Sequence, residues 1–335
     1  MKLHSLALVL VVYFSIPSFA KQCLENRGAM DFGSGTTKVL AVRVDVCQKK
    51  ILKVLFEDRL AISFNEAFEK SADHKIPEKF WQEALPRIQV SVDKLRAQEI
   101  KKIDAVATAV FRNAKNGQEV IAQMAKALGI PIQIISQDQE AELGFWSVLA
   151  FKSWSPQEAS MVVWDIGGGS MQMFSWNKGH PQIFRGHLAS VSFKNEILKV
   201  LQFKNPQEVS SPNPIGHNRE AAIQLAKNHA VLNVPPFFKN LKPETKWMGI
   251  GGVLSMSIQK QVQRNSTQFT AEELAQTLKD RAVLSDTQIE GDYKISEVSN
   301  LALVLGYMQA LHIPSVETVP AALGQGLVYK KLNLK

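Results

Sequence analysis

Cysteine is nearly absent: two in 335 residues, which allows one disulfide at most and excludes a scaffold built on several. Low-complexity sequence is scarce and 45% of the residues are hydrophobic, which excludes a disordered chain and points to a folded globular protein. Acidic residues are outnumbered, 31 Asp and Glu against 39 Lys and Arg, for a formal net charge of +8. That balance favours anionic partners through long-range attraction without naming one, and a basic solvated surface accounts for it equally well. No stripe interleaves aromatic with basic residues, so nucleic acid is not an expected partner. The N-terminal apolar run from Leu6 to Phe14 is too short to cross a bilayer as a helix.

The N-terminus is nevertheless patterned. Lys2 and His4 precede that run, and Pro17-Ser18-Phe19-Ala20 follows it. Small residues at Ser18 and Ala20 suit cleavage after Ala20, so residues 1–20 are expected to be a secretory signal, an uncleaved anchor being the alternative. Lys21 and Gln22 before Cys23 do not suit lipidation. The length then fits two domains, expected at 21–152 and 153–335.

Two short stretches carry the chemistry: Asp31-Phe-Gly-Ser-Gly-Thr-Thr-Lys38 and Asp165-Ile-Gly-Gly-Gly-Ser170. Each sets an acidic residue at the end of an apolar strand, followed by a turn of small residues. Such a turn lets backbone N–H groups approach an anion closely, because no Cβ blocks the way. The adjacent aspartate can hold a hard divalent cation through oxygen. Two such turns at the starts of the two halves suggest a phosphate chain gripped from both sides with a metal between. Cys23 and Cys47 are centred on the first turn, so a hairpin of strands 24–32 and 38–46 brings them nearly opposite and predicts a disulfide; a one-residue register slip would leave two free thiols.

Periodicity places strands at Gly28–Phe32, Lys38–Asp45, Ile51–Arg59, Ile103–Thr108 and Ile132–Ile135 in the first half. Helices are expected at Pro77–Gln98, with a kink at Pro86, at Asn116–Leu128, stopped by Gly129, and at Gln137–Ala150. The pattern restarts with strands at Ser160–Asp165, Gln172–Trp176, Pro181–Gly186 and Lys246–Gly249. Helices follow at Val191–Leu201, Arg219–Leu232, Ala271–Asp280 and Asn300–Leu311, with a Pro- and Ser-rich loop at 205–218 and a boundary near Phe151–Gln157. Each half runs strand-turn-strand-strand, then alternates helices with strands, which implies two similar α/β domains and a ligand cleft between them.

These residues resemble the Ppx/GppA phosphatases, the exopolyphosphatase and guanosine-pentaphosphate phosphatase group, within the wider superfamily of actin, the 70-kDa heat-shock proteins and the sugar kinases. The similarity covers most of the mature chain and is strongest from residue 29 to 176. Besides the two loops, Ala107-Thr-Ala-Val-Phe-Arg112-Asn-Ala-Lys-Asn116 resembles the family signature, and Ile135-Ser-Gln-Asp-Gln-Glu140-Ala141 the stretch holding its catalytic glutamate. The resemblance implies two actin-like (ribonuclease H-like) α/β domains flanking a central cleft, in the short two-domain form. It implies Glu140 as the base, and Asp31 and Asp165 on Mg²⁺, Asp165 also acting in catalysis. Ser34, Gly35, Thr36, Lys38, Arg112, Gly168, Gly169 and Ser170 are implied on phosphate. A bacterial periplasm is implied as the location.

The plainer alternatives are a helix-opening carboxylate for Glu140, turn caps for the two aspartates and a salt bridge for Arg112. Three positions depart from the family pattern: Gln172 stands where relatives often carry Glu, Val253 where they carry Thr, and Asn300 where an arginine is expected near the start of a late helix. The leading expectation is a secreted Mg²⁺-dependent hydrolase releasing terminal phosphate from inorganic polyphosphate or a related phosphoanhydride. A non-catalytic polyphosphate binder is the alternative, and a kinase or ATPase of the same fold a third reading that a secretory signal disfavours. A homodimer is left open.

Overall fold

The computed structural model describes residues 23–100, 102–154, 161–262 and 266–334. The expected signal at 1–20 and residues 155–157 of the expected boundary lie outside these residues.

Two sheets organise the chain, and the second repeats the first. In the first half, β1 (Leu24–Phe32), β2 (Thr36–Asp45) and β3 (Lys50–Ala61) form an antiparallel meander. Helices α1 (Phe64–Glu69) and α2 (Glu78–Arg96) follow, then β4 (Ile103–Ala107), α3 (Ala109–Asn113), α4 (Gly117–Leu128), β5 (Ile132–Ile134) and α5 (Gln137–Lys152). β4 pairs parallel to β1, and β5 parallel to β4, giving the order β3-β2-β1-β4-β5.

The second half opens with the meander β6 (Met161–Ile166), β7 (Met171–Asn177) and β8 (His180–Gly186). It continues through α6 (Ser190–Glu196), α7 (Arg219–Asn233), α8 (Pro236–Lys239), β9 (Lys246–Ile250) and α9 (Gln259–Val262). β10 (Gln268–Thr270), α10 (Ala271–Arg281), α11 (Lys294–Ala310), β11 (Ser315–Thr318) and α12 (Leu323–Asn333) complete it. The order β8-β7-β6-β9-β11 matches the first sheet strand for strand, and β10 adds an antiparallel edge.

The hairpin register sets Leu24 against Asp45 and Asp31 against Lys38. Cys23 and Cys47 lie at its open end and are joined by a disulfide, with Cα atoms 5.3 Å apart. Among the described residues no helix is long and apolar enough to cross a membrane.

Each sheet buries both faces. The outer face of the first packs on α2 and α4 through Ile88, Val92, Val120 and Met124. That of the second packs on α7 and α11. Between the sheets lie α5 and α12. Phe145, Val148 and Leu149 of α5 pack on Val163, Phe174 and Met248 of the second sheet. Leu323, Leu327 and Val328 of α12 pack on Ala29, Leu40 and Val106 of the first. The last helix of the chain therefore returns to the first sheet, which amphipathic patterning along the sequence does not reveal.

The late helix begins at Lys294 rather than Asn300, so Asn300 sits in its interior and not near its start. Val191–Leu201 divides into α6 and a π-helical turn at Ile197–Leu201. The short elements α1, α3, α8, α9, β10 and β11 were not expected from periodicity, since three to six residues are too few to show it, and α12 was not expected either.

α5 and α12 approach so closely that a Cβ at Gly326 would fall 2.0 Å from the Leu143 carbonyl oxygen. Gly326→Ala must push the helices apart, with a cost of about 2 kcal/mol for an overpacked core. The midpoint of denaturant unfolding is expected to fall accordingly; an unchanged midpoint would show that the helix pair is loosely docked.

Candidate active site

The cleft between the sheets encloses a cavity of about 760 Å³. Both glycine turns open into it. The first spans residues 33–35 between β1 and β2, and the second spans 167–170 between β6 and β7.

Each turn is held by its neighbours. Ser34 Oγ accepts a hydrogen bond from the Val110 N–H of α3 at 3.2 Å, and its carbonyl accepts from the Asn65 N–H of α1 at 2.9 Å. In the second turn the first residues of α6 donate to the carbonyls, Ser190 N–H to Gly167 at 3.3 Å and Val191 N–H to Gly168 at 3.0 Å. A trans peptide points its C=O and N–H oppositely, so the N–H groups of Gly168 and Gly169 turn away from α6. Asn65 Nδ2 also reaches the Gly168 carbonyl at 3.5 Å, tying the two turns together across the cleft. Beside it, buried Lys194 of α6 pairs with Glu66 of α1 at 3.4 Å. From the other wall the Tyr293 hydroxyl donates to the Gly35 carbonyl at 3.1 Å and meets Thr36 Oγ1 at 2.6 Å.

Asp31, Asp165 and Glu140 are buried and line this same cavity. Glu140 stands in the first turn of α5, whose start is secured by a capping box of Ser136 and Gln139. Arg112 Nη2 donates to Glu140 Oε2 at 3.1 Å, and Ser170 Oγ to Oε1 at 3.4 Å. Burial raises the Glu140 pKa from 4.5 to about 7; Arg112 opposes the shift, and the charges of Asp165 and Asp31 add to it. Burial likewise raises Asp165 from 3.8 to about 6, with Lys38 opposing and Asp31 adding. Asp31 is raised by burial against the pull of Lys38, whose ammonium lies 3.7 Å away.

Over residues 42–210, half of its length, the chain matches the Ppx/GppA phosphatase family. It belongs to that family. Solved structures agree on the fold. The Aquifex aeolicus family member superposes with a TM-score of 0.69 at 14% identity, over 92% of this chain and 98% of that one. An exopolyphosphatase from Cytophaga hutchinsonii gives 0.71 at 18% identity, over 92% and 98%. An exopolyphosphatase-like protein gives 0.71 at 15% identity, over 92% and 98%.

Within this Ppx/GppA fold, Ser34, Gly35, Thr36, Lys38, Gly168, Gly169 and Ser170 all border the cavity together with Asp31, Asp165 and Glu140. Arg112 does not border it: its guanidinium donates to Glu140 and to the Ile135 carbonyl, 2.8 Å from Nη1, and so lies behind the Glu140 carboxylate as seen from the cavity. A third glycine turn, Gly249-Ile-Gly-Gly252 at the end of β9, closes on Asp165. Gly251 adopts φ of 81°, and a Cβ there would lie 2.1 Å from Asp165 Oδ1. Val253 borders the cavity with an apolar side chain, and Asn300 donates to Ser257 Oγ at 3.2 Å.

Sequence reasoning did not find Asn65, Tyr293 or the Lys194–Glu66 pair. No local signal marks them: Glu66 lies 128 residues from Lys194 and Tyr293 lies 257 from Thr36, too far for any spacing rule.

Two aspartates beside phosphate-sized turns suit a hard cation. Asp31 Oδ1 is buried without a partner, as a waiting ligand atom would be. The residues therefore fit Mg²⁺. The tightest metal-like grouping among the described residues is instead Cys23, Asp45 and Cys47, and its thiols are consumed by the disulfide.

The raised carboxyl pKa values carry a sign. Below about pH 4 each group is protonated folded or unfolded; as pH rises toward 7 the folded state must ionise buried carboxyls, and their contribution to stability is lost. The metal-free protein is expected to melt lower at pH 8 than at pH 5, with Mg²⁺ restoring much of the difference and Glu140→Gln flattening the profile. Melting curves across that range, with and without Mg²⁺, test this. A profile indifferent to both metal and Glu140 would disprove the electrostatic account.

Proposed function

We propose that this family member is a Mg²⁺-dependent hydrolase that releases terminal phosphate from inorganic polyphosphate or a related phosphoanhydride, with Glu140 as the base. The single observation that carries the reading is the placement of Glu140: a buried carboxylate with pKa near 7, held on both oxygens and facing the same cavity as two glycine turns and two aspartates. A base poised near neutral pH is suited to accept a proton from water and release it again.

The step is an in-line displacement. Water held by Glu140 attacks the terminal phosphorus, the bridging P–O bond breaks, and the proton of the water passes to Glu140. Phosphate leaves with a chain one unit shorter. Backbone N–H groups of both turns and the Lys38 ammonium would hold the phosphoryl oxygens, and Arg112 and Ser170 orient the Glu140 carboxylate. Asp31 and Asp165 would hold Mg²⁺, which when bound offsets the charge of the phosphate oxygens. Without a cation, a polyanion would lie against Asp31, Asp165 and Glu140, whose charge Lys38 opposes beside Asp31 and Arg112 opposes behind Glu140.

The Cys23–Cys47 disulfide supports an oxidising compartment, in keeping with the signal-like N-terminus. On that basis we propose that the protein is secreted, the bacterial periplasm being the compartment that the family resemblance implies.

The test is phosphate release from long-chain polyphosphate by the chain from Lys21 onward, with and without Mg²⁺. Release that needs the metal and falls about a thousandfold in Glu140→Gln is the expected result, in line with loss of a general base. Polyphosphate binding with no release by the parent protein would favour a binding role, to which the apolar Val253 at the third turn lends some support.

A further inference from the structure

Gln172 is the most conspicuous departure from the family pattern, and a missing charge is the obvious reading of it. Its surroundings say otherwise. The side chain is only 1% exposed and stands behind Ser170, which borders the cavity. It sits on β7, directly across from Asp165 on β6, two residues beyond Ser170. Its amide Nε2 donates to Ser170 Oγ at 2.9 Å. Ser170 Oγ in turn lies 3.4 Å from Glu140 Oε1.

A serine hydroxyl has one proton and can accept at its lone pairs. With an amide N–H already directed at the oxygen, the hydroxyl proton is free to point at Glu140. We propose that Gln172 is a positioning residue: by donating to Ser170 it fixes the direction of the Ser170 hydroxyl, which then holds one oxygen of Glu140 while Arg112 holds the other. This rests on the reading of Glu140 as the base. It goes beyond that reading in making the neutral amide part of the working site rather than a sign of its decay.

A carboxylate can only accept. At position 172 it would draw the Ser170 proton to itself, turn a lone pair toward Glu140 and leave Oε1 without its donor. It would also add a negative charge beside Asp165 and close to Glu140. Restoring the residue that relatives often carry is therefore expected to harm this protein, not to help it.

The experiment compares Gln172→Met, which keeps the size and removes the donor, with Gln172→Glu, which reverses the donor. For polyphosphate hydrolysis, kcat is expected to fall about tenfold in Gln172→Met, as for one lost hydrogen bond in the transition state. It should fall further in Gln172→Glu, with KM within about twofold of the parent in both. In the same proteins, free of metal and substrate, the Glu140 carboxylate infrared band, identified by its loss in Glu140→Gln, is expected to shift in both variants. A Gln172→Glu protein as active as the parent or more so, or a band that neither variant moves, overturns the proposal. If the buried charge unfolds Gln172→Glu, Gln172→Met decides alone. Should the parent release no phosphate, the hydrolase reading fails by itself, and the infrared band still decides whether Gln172 orients Ser170 against Glu140.

Discussion

Asp31, Asp165 and Glu140 are buried side chains that border one cleft, and they repel one another. In water such a grouping would spread apart. Here each is fixed by the end of a secondary-structure element: Asp31 on β1, Asp165 on β6, Glu140 in the first turn of α5. The surroundings serve to keep those ends together. Lys38 beside Asp31 and Arg112 behind Glu140 supply opposite charge. Asn65 joins the two turns, the Lys194–Glu66 pair joins α6 to α1 beside them, and Tyr293 holds the first turn from the other wall. The remaining imbalance is what makes the site suited to a cation and an anionic chain.

The repeated sheet order explains how two carboxylates on separate strands come to meet. Both β1 and β6 are the central strands of their sheets, each followed by a tight turn into an antiparallel neighbour. The two turns therefore emerge at equivalent places and face each other. α5 and α12 fill the space between the sheets, and their packing decides where Glu140 lies relative to both turns. The hairpin disulfide acts at the opposite end of β1 and β2 from the first turn, where it pins the strand ends whose register sets Asp31 against Lys38.

The departures from the family pattern do not all mean the same thing. Gln172 is buried and satisfied, engaged with Ser170. Val253 does face the cavity and brings no donor to it. Asn300 lies inside a helix and spends its amide on Ser257, while its carbonyl oxygen is buried and unpartnered. Arg112 matches the family signature, yet its contacts are with the protein's own carboxylate rather than with the open cavity. Identity at a motif position and the role of the side chain there are separate matters.

By itself the sequence determined the two glycine turns, the strands that carry them, the helix that opens with Glu140 and the pairing of the only two cysteines. These are local: apolar alternation, turn chemistry, capping and a hairpin centre each act within about a dozen residues. It did not show α1 or α3, which are too short for a period, nor the early start of α11 at Lys294, since that helix is buried along nearly its whole length and lacks a polar face. Only the tertiary structure decided that α12 returns to the first sheet, that Tyr293 and Asn65 close on the turns, and that Arg112 supports Glu140 from behind. The reason is physical. Local free-energy preferences are written in neighbouring residues, whereas the burial of a carboxylate, and the shift in its pKa, depend on which distant surfaces exclude water from the same small volume.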